Sequence, residues 1–235
     1  MYFLRKLYAI WIVANFIVGF LIVFPFLVLF FYLRLPSLNT YLYKMWSWSF
    51  FKLIFIPVKT IGANHFSRKK NYVFCANHFS YLDIALMAGL MKGEFVFVGK
   101  SEVAKIPLFG YMFAKMHISI KRGSKTSAAK VYEQMKNALV AGKSIIIFPE
   151  GGIFSKNPPQ MVNFKDGAFK VAADTQTPII PVSICNAWRV LPDDSKLLPQ
   201  WHKIQLIVSA PLLEDSRHIA KLKQETFEAI QTQLT

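Results

Sequence analysis

Residues 72–91 read YVFCANHFSYLDIALMAGLM. The first five form a short run of β-branched, aromatic and small apolar side chains, long enough for a buried strand and too short for a helix. From Leu82 to Met91 the chain is apolar without strict alternation, which fits a helix packed on a sheet. Between them, Asn77-His78-Phe79-Ser80-Tyr81 makes the corner. A strand that feeds a helix in this way is half of a βαβ unit, and the same texture recurs down the chain. Strands are expected at Val58–Gly62, Tyr72–Ala76, Phe95–Val98, His117–Ile120, Ser144–Phe148, Ile179–Ile184 and Ile204–Val208. Helices are expected at Leu82–Met91, Pro107–Ala114, Thr126–Ala141, Asp166–Thr175 and His218–Gln233. Such alternation predicts an α/β domain around a central sheet. No internal repeat or low-complexity segment interrupts it.

The corner carries the first candidate chemistry. His78 and Asp83 are five residues apart, so on one continuous helix they would point about 140° apart and never meet. They can meet if His78 lies in the loop and Asp83 in the first helical turn, where the helix dipole favours a carboxylate. Asp83 would then accept from one imidazole nitrogen and leave the other basic, a general base with its orienter. Ser80-x-x-Asp83 is also a capping-box pattern, in which Asp83 would only tie down the helix start.

Two further groups stand at expected strand ends. Phe148-Pro149-Glu150-Gly151-Gly152 follows the strand SIII; a tight turn there would lie at the carboxyl edge of the sheet, where open α/β sheets place ligands. Read plainly, it is an exposed turn with a solvated Glu150. Lys100 and the Lys121-Arg122 pair end other strands, and cations converging on that edge would suit a phosphate, Arg as a fork and Lys as a point charge. In so basic a chain a single lysine is more often only surface.

The remainder of the chain explains its overall character. Of 235 residues 54% are hydrophobic, and 28 Lys and Arg stand against 13 Asp and Glu, a net charge of +15. This excludes a disordered chain, and two cysteines exclude a disulfide scaffold. Leu7 to Leu33 is apolar except for Asn15 and a few tyrosines, long enough to cross a hydrocarbon layer of about 30 Å. It lacks a small-residue cleavage site, which argues against a signal peptide. Pro25 inside it removes a helical hydrogen bond, so a bent or re-entrant helix is as acceptable as a straight span. Tyr41 to Val58 interleaves Lys44, Lys52 and serines with Trp46, Trp48 and phenylalanines, the composition of a helix at the headgroup level. Nine cations, from Arg5 to Lys70, precede the first acidic residue, Asp83. Greasy and basic together point to an anionic membrane. Cations flank the long apolar run on both sides, which favours a hairpin with both ends cytoplasmic. The expected division is a membrane-associated helical segment over 1–58 and a catalytic domain over 59–235.

Other chemistries lack their signatures. His65, His117, His202 and His218 are not grouped with cysteines or acids at zinc spacings, so no metal is expected. There is no Gly-x-Ser-x-Gly elbow and no phosphate-binding Walker loop. Cys75 and Cys185 sit in apolar strand contexts and read as reduced core residues. A non-catalytic lipid-binding or nucleic-acid-binding role fits the charge alone, but no aromatic and basic platform appears in the α/β part, and no nucleic-acid partner is expected.

From about Val58 to Leu213 the chain resembles the glycerolipid acyltransferases of the 1-acylglycerol-3-phosphate type. Asn77-His78-x₄-Asp83 resembles the family's His-x₄-Asp block. Lys100 through Pro107 and Gly110 resembles the second block, Phe148-Pro149-Glu150-Gly151 the third, and Ile180-Pro181-Val182-Ser183 the fourth. Phe164-Lys165-Asp166-Gly167-Ala168 falls where the family has Phe-Lys-x-Gly-Ala. The resemblance implies a central mixed sheet flanked by helices behind an N-terminal membrane helix pair. It implies that His78 deprotonates an acceptor hydroxyl with support from Asp83, and that the hydroxyl attacks an acyl thioester directly. Glu150 and Gly151 would help hold the acceptor while Lys100 and Arg122 face its phosphate. The implied partners are membrane lipid, lysophosphatidic acid and a donor, acyl-CoA or acyl carrier protein, serving as co-substrate with no separate cofactor. The implied product is phosphatidic acid, made at the cytoplasmic side of a membrane such as a bacterial inner membrane. Gly152 and Ile153 stand where the family usually has Thr-Arg, which leaves open another lysolipid acceptor, for example a lyso-aminolipid.

Overall fold

A computed structural model of the protein describes residues 2–102, 106–120, 125–193, 198–214 and 218–234. Two helices come first, α1 (Tyr2–Tyr32) and α2 (Pro36–Leu53). The α/β part then runs β1 (Val58–Ile61), a 3₁₀ turn (Ala63–His65), β2 (Val73–Ala76), α3 (Leu82–Leu90) and β3 (Phe95–Lys100). It continues with α4 (Phe109–Met116), β4 (Ile118–Ile120), α5 (Lys125–Val140), β5 (Ser144–Ile147) and α6 (Gly167–Asp174). β6 (Ile179–Cys185), a short α7 (Ala187–Val190), β7 (Ile204–Val208) and α8 (Ile219–Leu234) complete it.

The seven strands form one mixed sheet in the order β1-β7-β6-β2-β5-β3-β4. β6, β2, β5, β3 and β4 run parallel, with Phe74 beside Ile146 and Ile180, while β7 is antiparallel to β6 and parallel to β1. β3 extends two residues past the expected Val98, because Gly99 and Lys100 find ladder partners in Ser119 and Ile120 of β4. That pairing puts Lys100 at the end of a strand.

Side chains alternate across the sheet with period two. Phe74, Ala76, Phe95, Phe97, Ile146, Ile180 and Val182 point to one face, where they pack with Leu82, Leu86 and Met87 of α3 and Trp46 and Phe50 of α2. Val73, Cys75, Val96, Val98, Ile145 and Ile179 point to the other, against Met135 of α5, Phe169 of α6 and Leu222 and Ile230 of α8. Both faces are therefore covered, as near-continuous apolar strands require. The N-terminal helices form part of the first covering layer and share its core.

α1 is one unbroken helix through Pro25, and of the described helices it alone is long and apolar enough to cross a membrane. The expected pair is thus one such helix and a shorter companion. α2 begins at Pro36, a residue suited to a first helical turn, and ends before the extended β1, which shifts it towards the N-terminus relative to the expected Tyr41–Val58. Ala9, Ile12, Phe20, Val23 and Leu27 form the buried seam of α1, spaced three or more residues apart, and Ile10, Trp11, Ile17, Val18, Leu21 and Ile22 stay exposed. Both ends of α1 are tied to the α/β body. Arg5 Nε donates to the Pro199 carbonyl at 3.0 Å, and the Tyr32 hydroxyl meets that of Tyr111 on α4 at 2.7 Å. Trp11 and Tyr8 donate to the carbonyls of Leu53 and Ile54 at 3.0 and 2.6 Å. Cys75 is buried, whereas Cys185, at the end of β6, is only partly so, and both are free thiols.

Candidate active site

The corner between β2 and α3 is held by its own side chains. Asn77 extends the β2–β6 ladder past its end: its Nδ2 donates to the Ile184 carbonyl at 3.1 Å and its Oδ1 accepts the Ile184 N–H at 2.7 Å. Ser80 Oγ donates to the Leu191 carbonyl at 2.8 Å, so this hydroxyl is engaged away from the imidazole. The chain between β2 and α3 is thereby tethered to β6 and to the chain just after α7.

Asp83 sits in the first turn of α3 and is fully buried. Its Oδ2 accepts three hydrogen bonds, from His78 Nδ1 at 3.0 Å and from the backbone N–H of Phe79 and of Ser80, each at 2.9 Å. The capping role and the orienting role, rivals on sequence grounds, are served by the same oxygen. An ionised carboxylate can only accept, so Nδ1 carries the proton and Nε2 keeps its lone pair. His78 Nε2 has no hydrogen-bond partner among the described residues. The ring stacks on Phe148 with centroids 4.0 Å apart and planes 16° apart, which holds its plane.

Glu150 is nearly as buried, at 1% exposure. Its Oε1 accepts the His78 backbone N–H at 2.8 Å and its Oε2 accepts the Val162 N–H at 3.0 Å. The resemblance assigned Glu150 to the acceptor; in the structure each of its oxygens accepts a backbone N–H, so the residue ties His78 to the chain that returns from the 152–161 loop. Burial pushes its carboxyl above the usual carboxylate range, and the two backbone N–H groups oppose that shift.

Lys100 ends β3, whose Val98 pairs with Ile147 of β5, so Lys100 and the Phe148–Gly152 turn share one edge of the sheet. Its ammonium lies over the Phe154 ring, 5.2 Å from the centroid. Gly151 adopts the left-handed φ of +83° that glycine tolerates, and its N–H closes the turn onto the Phe148 carbonyl at 2.8 Å. His78, Asp83, Lys100, Glu150 and Gly151 therefore meet at the carboxyl ends of three adjacent parallel strands, β2, β5 and β3. Arg122 lies outside the described residues. No three His, Cys, Asp or Glu side chains gather as metal ligands among the described residues.

A family model described as Acyltransferase matches residues 57–185, from the turn before β1 to the end of β6. The chain belongs to this acyltransferase family. Over 149 residues it is 33% identical to a 1-acyl-sn-glycerol-3-phosphate acyltransferase of Chlamydomonas reinhardtii, a match covering 62% of this chain and 44% of that one. It is 28% identical over 141 residues to a chloroplastic 1-acyl-sn-glycerol-3-phosphate acyltransferase of Arabidopsis thaliana, covering 60% and 39% of the two. A 1-acyl-sn-glycerol-3-phosphate acyltransferase of Borreliella burgdorferi is 29% identical over 132 residues, covering 56% and 52%. The matched region thus spans about half or less of these relatives' length. The crystal structure of the 1-acyl-sn-glycerophosphate (LPA) acyltransferase PlsC from Thermotoga maritima superposes with a TM-score of 0.76 over 97% of both chains at 20% identity, so the two share a fold.

Within this candidate site, sequence reasoning missed the backbone duties of Glu150, the Asn77 clasp on Ile184 and the Phe148 stack on His78. Each depends on strands far apart in the chain becoming neighbours. Phe148 carried one signal, its place one residue beyond a strand end at the ligand edge.

Proposed function

We propose that this acyltransferase moves a fatty acyl chain from a thioester donor, acyl-CoA or acyl carrier protein, to the sn-2 hydroxyl of 1-acylglycerol-3-phosphate, giving phosphatidic acid. The observation that carries the reading is His78, held through Nδ1 by the buried Asp83 and leaving Nε2 available at an edge shared with Lys100. The names of the relatives support the acceptor class. A thioester is already activated, so the weak reactant is the alcohol, and one oriented base answers that need. His78 Nε2 takes the hydroxyl proton as the oxygen attacks the thioester carbonyl. The tetrahedral adduct then collapses, the C–S bond breaks, and the imidazolium returns the proton to the departing thiolate. The products are the new ester and a free thiol.

The N-terminal helix supports a membrane location. Because both ends of α1 are bonded to one α/β body, we read α1 as lying within one leaflet, its exposed apolar side towards lipid and the active site towards the cytoplasm. Purified protein given a radiolabelled acyl donor, in a CoA arm and a carrier-protein arm, should convert lysophosphatidic acid to a diacyl product, and His78→Ala should abolish it. No diacyl product in either arm, or full activity in the variant, removes the reading. Ile153 in place of the family's usual arginine favours a second acceptor, another lysolipid, and a panel of lysolipids differing only in head group separates the two.

A further inference from the structure

The carbonyls from Phe50 to Phe55, at the end of α2, are all engaged. Those of Phe50, Phe51 and Lys52 accept backbone N–H groups, from Ile54 at 3.1 Å, Ile56 at 3.0 Å and Phe55 at 3.0 Å. The next ones accept side chains: Trp11 and Tyr8 of α1 donate to the carbonyls of Leu53 and Ile54, and Trp201 Nε1 donates to that of Phe55 at 2.8 Å. A helix end in water needs no such cover, because solvent supplies the donors; in lipid every carbonyl must find one inside the protein. Phe55 takes the left-handed φ of +57° that a helix C-terminus usually gives to glycine, yet its ring is 72% exposed. Trp201 is 62% exposed, with its N–H already bonded. In water these two rings gain nothing from where they stand; against lipid both are buried.

Trp201 comes from the α/β body, in the segment before β7. That segment is fixed by the Gln200 N–H, which donates to the Arg189 carbonyl at 3.0 Å, and by Arg5 of α1, which donates to the Pro199 carbonyl. Since Arg5 reaches Pro199 and Trp11 reaches Leu53, the patch adjoins the exposed apolar side of α1. Its surroundings are cationic: Lys52 lies over the Trp48 ring, 3.9 Å from the centroid, and Lys59 and Lys203 are exposed. Aromatic rings mixed with lysines suit the headgroup level of an anionic leaflet. The patch also lies at the edge of the sheet that carries His78. β7 starts beside the end of β6, Gln205 against Cys185, and β1 starts beside β7, Val58 against Ile204, while Asn77 clasps Ile184 at that same end. We propose that Phe55 and Trp201 form a second membrane anchor, seated at the headgroup level, which docks the α/β body itself and turns its active-site edge towards lipid. This rests on the one-leaflet reading of α1 given under Proposed function.

The test reads depth with a nitroxide label on full-length protein in vesicles of phosphatidylglycerol and phosphatidylethanolamine. A label at Gln200→Cys, in a Cys185→Ser background, should be more accessible to oxygen than to a water-soluble nickel chelate. A label at Lys170→Cys, an exposed position on α6 across the sheet, should show the reverse. A water-like signal at 200 overturns the anchor, and low access to both reagents assigns the patch to a protein partner and overturns it as well. A label at Ile17→Cys on the exposed side of α1 tests the underlying reading separately: a water-like signal there removes the one-leaflet placement of α1, whereas lipid at 17 with water at 200 removes the anchor alone. Activity gives a second measure through Phe55→Gly, which deletes the ring and suits the left-handed backbone. This variant should keep its stability to urea and its turnover in mixed micelles, and lose turnover of vesicle-borne acceptor several-fold. Unchanged turnover on vesicles, or an equal loss in vesicles and micelles, contradicts the anchor.

Discussion

Two histidines in this chain stand in the same α/β body and have opposite fates. His78 gives one nitrogen to a buried carboxylate and leaves the other without a partner among the described residues. His117 has both engaged: Nδ1 accepts the Phe97 N–H at 3.3 Å, and Nε2 donates to the Tyr43 hydroxyl at 3.3 Å, which in turn donates to the Met112 sulfur at 3.5 Å. The rings of Tyr43, Phe95, Phe97 and Phe113 surround it, with centroids 5.1 to 6.3 Å away. Burial, aided by the positive charge of Lys143, pushes its pKa down to about 3. An imidazole beside an acid with one nitrogen unclaimed has a lone pair to offer; one whose nitrogens are both committed among aromatic rings is a neutral packing element.

Substitutions should break this contrast in graded fashion. His78→Ala should lower kcat by about 10³-fold or more with the folded fraction unchanged, as judged by circular dichroism alongside the assay. Asp83→Asn should cost roughly 10²-fold in kcat, because the amide no longer selects the tautomer with Nε2 basic. A kcat close to wild type in that variant would mean that Asp83 only caps α3. His117→Ala should do the reverse: a loss of about 2 kcal/mol in urea unfolding, from an emptied site and two stranded partners, with activity per folded molecule retained.

Smaller effects sharpen the same comparison. Glu150→Gln should reduce kcat by about tenfold and leave the acceptor KM in place, since one of its two backbone partners then faces an NH₂ group. A raised KM with kcat intact would assign Glu150 to the acceptor. The smallest effect concerns pH. Unfolded His117 takes up a proton near 6.5, whereas the folded residue resists protonation until about 3. The unfolded state therefore binds the extra proton within that window. The contribution of His117 is complete above about pH 6.5 and is lost as pH falls towards 3. The Tm difference between wild type and His117→Gln should accordingly narrow on acidification from pH 7.5 to 4.5.

Much of this was legible along the chain. Periodicity located the strands and the main α/β helices within a few residues, and hydropathy marked Leu7–Leu33. The turn residues around Glu150 and the spacing of His78 and Asp83 marked candidates along the chain, and the structure brings them to one edge of the sheet. What could not be read is instructive. Phe95–Val98 shows no reason to continue to Lys100 until β4 lies alongside it. Glu150 looks like a surface acid until the chains bearing His78 and Val162 close around it. The long apolar helix gives no sign along the chain that Arg5 and Tyr32 tie its two ends to one body.

The sequence by itself determined the alternation of strand and helix, the greasy and basic N-terminal third, and the presence of an imidazole, a carboxylate and glycines at strand ends. These are local matters, governed by periodicity, turn chemistry and composition. Only the tertiary structure decided that His78 gives one ring nitrogen to Asp83 while His117 has both engaged, that Asp83 serves cap and imidazole with one oxygen, and that Lys165 comes to lie over Gly151. The reason is physical: the state of an ionisable group depends on burial and on neighbours within a few ångströms, and here those neighbours come from strands more than sixty residues apart in the chain.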